Sequence, residues 1–145
     1  QNAFTSLQDA LQAAGKGSEI WIAEGIYYPD NGTGITDDKR DTSFVIPDSV
    51  TIYGGFNGTE TSPGNRNWET NKTILSGDID QDGTFSGNTH HVVLAVDATT
   101  RLDGFTVTGG NADVSSSVTL NGQSFFRRHG GGVFLYLRAL HPRHL

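Results

Sequence analysis

The sequence contains no cysteine and no methionine, not even at position 1, where glutamine stands. Without cysteine there is no disulfide framework, no cysteine-ligated zinc and no catalytic thiol. No basic start with an apolar run opens the chain, so it reads as a processed or excised piece whose targeting signal has gone. No apolar stretch approaches the ~20 residues that cross a bilayer, which predicts no membrane span. Hydrophobic residues are few, at 34% of 145. Eight Phe, four Tyr and two Trp are nevertheless too many for a disordered tail. Nineteen Gly and four Pro point to many turns.

Positive charge is scarce through most of the chain. Residues 1–126 hold six Lys and Arg against all sixteen Asp and Glu, a net of -10. The other four basic residues, Arg127, Arg128, Arg138 and Arg143, fall in the last nineteen positions. A body this acidic repels phosphate backbones, which argues against a nucleic-acid partner. It also repels polyanionic sugars unless a divalent cation bridges the like charges.

One segment has a helical period. Phe4, Leu7, Ala10, Leu11 and Ala14 recur at spacings of three and four and line one face. Thr5 with Gln8, or Ser6 with Asp9, supplies a capping signal, and Gly15 and Gly17 end the run. Three turns with so narrow an apolar face must cover something apolar.

The rest reads as short β-branched and aromatic strands separated by Gly, Asn and Asp. The first, residues 19–23, continues through 25–28 until Pro29 stops it. Others are expected at 43–46, 50–53, 73–76, 91–96, 102–108 and 132–136. Several connections exceed a dozen residues without a helical period, and two-residue hairpin loops are almost absent. Antiparallel sandwiches usually show tight hairpins, whereas parallel strands need long crossovers. This pattern fits an all-β chain, a short parallel β-helix whose N-terminal amphipathic helix plugs the open end of the stack. Ile52 to Ile74 spans 22 residues and Phe105 to Val133 spans 28, suggesting a turn of roughly 20–30 residues.

Five blocks, in order, carry a resemblance. They are residues 4–11 (FTSLQDAL), 19–29 (EIWIAEGIYYP), 53–60 (YGGFNGTE), 73–79 (TILSGDI) and 102–112 (LDGFTVTGGNA). The series resembles the N-terminal region of secreted bacterial right-handed parallel β-helix proteins of the pectin-lyase-like superfamily. His129-Gly130-Gly131-Gly132-Val133 also looks like the glycine repeat of polymorphic outer-membrane proteins. The resemblance implies a right-handed coil over residues 1–136 and an extracellular or cell-surface location. Residues 137–145 depart from it: they lack Gly and Asn turns, are abruptly basic, and read as a truncated or frame-disrupted tail. The superfamily holds lyases, hydrolases and adhesins, so the likeness speaks for fold more than for activity.

Asp78-Ile79-Asp80-Gln81-Asp82-Gly83 alternates three carboxylates and ends on Gly, the arrangement of a calcium loop. The twelfth position, where such loops carry a bidentate Glu, is Thr89, while Ser86 or Asn88 could add an oxygen. The plainer reading is a solvated acidic turn. His90 and His91 are neighbours; on a regular strand they face opposite ways, one packed and one exposed. Asp37, Asp38 and Asp41 with Lys39 and Arg40 form a charged loop with little to mark it as an acid–base pair. Arg101 with Asp103 is a weak echo of the arginine base of β-helix lyases.

Tyr27, Tyr28, Phe56 and Trp68 could stack on sugar rings, with Trp68 the best exposed, whereas Trp21, Tyr27 and Tyr53 suit packing within or between strands. Asn31, Asn57 and Asn71 begin formal glycosylation sequons that read as turns. The leading expectation is the N-terminal part of a secreted or surface β-helix protein with an adhesive, glycan-binding or structural role. The alternative is the start of a pectate-lyase-like polysaccharide-degrading enzyme with catalytic turns beyond residue 145. Calcium is the expected cofactor and a polysaccharide or surface glycan the expected partner. Self-association through an uncovered last turn is also expected.

Overall fold

The computed structural model describes residues 3–35, 39–95, 99–120 and 122–136. Among the described residues strands predominate, with one α-helix, α1 (Leu7–Ala13). The Ser6 side chain caps it by accepting from the Asp9 amide at 3.1 Å. Leu7, Ala10 and Leu11 are buried as their spacing predicts, but Phe4 precedes the first turn and is exposed. Gln8 is buried as well. Its Nε2 donates to the carbonyls of Pro29 and Ser43, which ties the helix to two later segments.

Nine strands form three parallel sheets of three. The first sheet orders β1 (Glu19–Ala23), β4 (Thr51–Phe56) and β7 (Arg101–Asp103). The second orders β2 (Gly25–Tyr27), β5 (Thr73–Ser76) and β8 (Phe105–Thr108). The third orders β3 (Phe44–Ile46), β6 (Val93–Ala95) and β11 (Val133–Leu135). All six pairings are parallel. Between β8 and β11 the chain inserts an antiparallel hairpin, β9 (Ser117–Leu120) and β10 (Gln123–Phe126). Up to β8, each strand pairs with the one three places later.

The core side chains share one face of each sheet, while Leu94, between Val93 and Ala95, is buried on the opposite face of the third. Ile20, Ile52 and Leu102 stand in register across the first, and Phe44 and Val93 across the third. Leu7 and Leu11 join Ile22, Ile52, Phe44, Ile46, Val50, Leu75, Val92 and Val93 in a single core. The helix therefore packs against β3, the outer strand of its sheet, and covers that end of the core.

The structure corrects several expectations. The apolar runs 19–28 and 102–108 are not single strands. Each breaks at a corner, at Glu24 and Gly104, and its halves join different sheets. At the second corner backbones touch: a Cβ on Gly54 would lie 2.5 Å from the Gly104 carbonyl oxygen, and Gly104 has φ +82°. The 20–30-residue repeat is wrong. Ile52 pairs with Ile20 and Leu102, not Ile74, so strand partners in this sheet are 32 and 50 residues apart. Loops of different length at the corners make these spacings unequal. Phe105 and Val133 likewise belong to different sheets. The expectation of almost no tight hairpins missed β9–β10. The predicted tail, 137–145, lies outside the described residues, as do Asp37, Asp38 and Val96.

Candidate functional site

Strand alternation sends Glu19, Trp21, Thr51, Tyr53, Arg101 and Asp103 to the outer face of the first sheet. Register aligns Trp21, Tyr53 and Asp103 across β1, β4 and β7. Trp21 is 41% exposed, contrary to the expectation that it packs between strands. Its indole is nonetheless held. It stacks on buried Phe56 at 5.0 Å between centroids, 5° from parallel, and donates to Glu19 Oε1 at 2.5 Å. Phe56, offered by the sequence as a sugar-stacking ring, is instead buried beneath Trp21.

The 57–72 loop completes this face. Asn67 donates its amide to the Gly55 carbonyl at 2.9 Å, and any Cβ on Gly55 would strike the Trp68 backbone. That contact sets Arg66 and Trp68 beside β4. The Arg66 guanidinium lies over Tyr53 at 4.4 Å and Trp68 at 5.2 Å, and Arg101 sits over Tyr53 at 5.3 Å. Both arginines bond Asp103, at 2.6 and 2.8 Å, and the bond from Arg101 is the main reason its carboxyl is held below the usual range. The Arg66 side chain is only 9% exposed, whereas Trp68 is 54% exposed. Trp68 borders an open groove of about 400 Å³ with Thr73, Asp103, Gly104, Phe105 and Thr106. Tyr27 is not part of this face: its hydroxyl donates to the Ala23 carbonyl and burial raises its pKa. The weak lyase-like pair Arg101–Asp103 is thus a member of an aromatic and ionic strip.

The acidic loop forms a second centre. Carboxylate oxygens of Asp78, Asp80 and Asp82 lie within 4.8 Å of one another. Asp78 Oδ2 accepts from the Gly83 amide and Asp82 Oδ1 from the Thr84 amide, so the loop is shaped by its own carboxylates. Asp78 Oδ1 is buried without a hydrogen-bond partner. Desolvation, then the charge of Asp82, pushes the Asp80 pKa up. Three hard oxygen donors this close suit calcium chemically. Thr89 does not complete the set: its hydroxyl donates to the Arg40 carbonyl at 2.9 Å. Asn88 is buried, with Nδ2 on the Gly109 carbonyl. Asp80 also borders an open groove of about 530 Å³ with Tyr28, Asp30, Asn31, Gly32, Ile79 and Gln81.

The histidines differ from expectation because both are buried; they precede β6 rather than lying on it, so strand alternation does not govern them. His90 Nδ1 donates to the Asn111 carbonyl at 3.2 Å and lies 3.6 Å from Asp113 Oδ1, while Nε2 lies 4.0 Å from Asp41 Oδ1. His91 Nδ1 donates to the Gly130 carbonyl, and its buried Nε2 has no partner. The sequence reading missed this cluster because Asp41, His90 and Asp113 are far apart in the chain. Asp41 is clamped by Arg127 and Asp113 by Arg40, which lowers both carboxyl pKa values. Of the sequons, Asn71 leads into the buried Thr73, while Asn57 and Thr59 close an exposed turn.

No protein-family model, curated protein or solved structure matches this chain.

Proposed function

We propose that the chain is the N-terminal part of a secreted or cell-surface protein built as a right-handed parallel β-helix with α1 as its cap. Its role is adhesive, glycan-binding or structural. The observation that carries this reading is the strand order. Three parallel sheets receive their strands in rotation, and only a chain that winds repeatedly through the same three positions gives this order simply. The five sequence blocks fall on α1 and on strands of those sheets or their adjoining corners. Stacked parallel strands make a rigid surface suited to an extended polymer, and Trp68 stands exposed on it.

A polysaccharide-degrading enzyme ranks second. The two carboxylates about His90, Asp41 and Asp113, are held ionised by Arg127 and Arg40, which suits neither for a general acid. In the preferred reading calcium occupies Asp78, Asp80 and Asp82. Self-association through the edges of β7, β8 and β11 belongs to the same proposal, and light scattering checks it.

The test is incubation with neutral and acidic polysaccharides, with and without calcium. Retention without turnover is expected. New unsaturated ends would move the enzyme reading to first place, and neither retention nor turnover would remove the glycan role.

A further inference from the structure

The chain has two tryptophans, 47 positions apart, and both are exposed beside the same sheet. Trp is a costly residue to leave wet, and solvent-facing Trp held rigid by neighbours is characteristic of a binding anchor. Rigidity is present here. Trp21 is stacked on Phe56 and bonded to Glu19. Trp68 is set by the close packing of its backbone on Gly55 and flanked by the Arg66 guanidinium. Tyr53 joins them: it neighbours Trp21 in register, and Arg66 spans Tyr53 and Trp68.

Resting on the glycan-binding reading above, we infer that Trp21, Tyr53 and Trp68 form one platform for an uncharged, unbranched oligosaccharide that runs across the strands. Three observations select this ligand. The two exposed indoles offer flat apolar surface to the apolar faces of pyranoses, and the Tyr53 ring between them lies under the Arg66 and Arg101 guanidinium groups. Between them stand matched donors and acceptors, Arg101 and Arg66 against Asp103, with Glu19 beside Trp21. Hydroxyl groups both donate and accept, so they suit such an array; a proline-rich peptide, also a ligand of aromatic surfaces, has acceptors but few donors to offer. The charges also cancel. Two arginines face two carboxylates on a chain of net charge -6, leaving no excess of positive charge to hold a uronate. Trp21 and Asp103 lie two strand spacings apart, roughly 10 Å, so a single sugar ring cannot span the platform.

Both indoles report directly. The intact chain is titrated, in chelator, with neutral glucan, mannan and xylan hexasaccharides, hexagalacturonate and a proline-rich decapeptide while tryptophan emission is followed. At least one neutral hexasaccharide should shift the emission to saturation, with little response to hexagalacturonate or peptide. Trp21→Ala and Trp68→Ala should each weaken binding about tenfold or more, the scale of a lost aromatic anchor. Trp21→Phe, which can still stack on Phe56, should retain most of it, and Phe85→Ala, on the acidic loop, should change nothing. Circular dichroism establishes that each variant is folded. Glycan binding unaffected by either alanine variant overturns the platform and leaves the broader reading standing. Preference for hexagalacturonate or the peptide overturns the assigned ligand. No response to any sugar, together with no retention of the polysaccharides, removes both readings.

Discussion

Arg127, just after the β9–β10 hairpin, closes on Asp41 with two hydrogen bonds, Nε to Oδ1 at 2.5 Å and Nη2 to Oδ2 at 2.6 Å. The same guanidinium donates to Ser116 Oγ and the Ser117 carbonyl at the hairpin's start. One side chain thus ties both ends of the insertion to a loop 86 positions earlier. Phe125 adds the apolar half of the attachment, edge-on to Phe134 and Tyr136 at 5.8 and 5.7 Å. Asp41 is more than a third exposed, so screening limits the pair. Arg127→Met should cost about 1 kcal/mol, whereas Phe125→Ala should cost about 3–5 kcal/mol. Hydrogen exchange should show β9 and β10 losing protection first in Arg127→Met. The carboxyl pKa of Asp41 is lowered in the folded state, so its contribution is complete above the ordinary value near 3.8 and fades as pH falls through the lowered one. Wild-type and variant stabilities should therefore converge in acid, once the pH has passed below the lowered value; a constant gap would show that the pair contributes through packing alone.

His91 gives an acid response of the same sign in a higher pH range. Burial is the main cause of its lowered pKa, and the carbonyl of Gly130 takes its one N–H. Around it stand His90 and Asp41, with the rings of Phe134 and, against that ring, His129. The unfolded chain binds the proton more readily than the folded one. Stability should accordingly fall as pH drops below about 6.5 toward the folded value. His91→Phe keeps a ring against Phe134 and removes this titration. Its melting temperature should change less between pH 7 and 5 than that of the wild type. Equal slopes in the two proteins would shift the effect to another group.

How much of this could be read beforehand depended on the range of the signal. The Ser6–Asp9 cap and the apolar face of α1 are local, and the structure places them where the spacing does. Strands were visible as β-branched runs. Their corners were not, because β-forming residues resume directly after Glu24 and Gly104 while the chain changes sheet. The repeat was misjudged because insertions of unequal length sit at different corners. Two misses had signals. Asn121-Gly122 between β-rich runs marks a two-residue hairpin. Glu19-Ile20-Trp21-Ile22-Ala23 alternates, which puts Trp21 on the polar face with Glu19 rather than in the core. The aromatic and ionic strip itself had none, since Trp21, Tyr53, Arg66, Trp68 and Asp103 meet only through parallel pairing and a folded-back loop.

The Gly54–Gly104 contact should be among the least tolerant positions in the chain. Alanine at Gly54 puts a methyl against the Gly104 carbonyl at 2.5 Å and Thr73 Cβ at 2.9 Å, where the strands of two sheets meet. Gly54→Ala is expected to lower stability by about 1–3 kcal/mol, the range for forced overpacking. Gly15→Ala is the control, because nothing lies within 4 Å of the added carbon and no positive φ opposes it. It should be neutral or stabilising by about 0.5 kcal/mol. Urea titrations of the two variants measure both; a tolerated Gly54→Ala would show that the corners are looser than drawn.

Asp80 separates the calcium reading from the plain acidic turn. Its pKa is raised, chiefly by desolvation and then by the nearby charge of Asp82. A carboxyl raised on folding supports the folded state when protonated and opposes it as pH climbs through the raised value. In chelator at pH 7, Asp80→Asn should therefore melt at or above the wild-type temperature, since it removes a repelled charge. Calcium reverses the order if Asp78, Asp80 and Asp82 bind it: a ligand selective for the folded state raises the wild-type melting temperature in proportion to the logarithm of its concentration. Asp80→Asn should then respond weakly, because a neutral amide replaces one of three anionic donors. Scanning calorimetry of both proteins, with chelator and with millimolar calcium, reads all four values. A calcium shift of the same size in the two proteins would place the ion elsewhere, and none in either would leave the loop as an acidic turn held by the Gly83 and Thr84 amides.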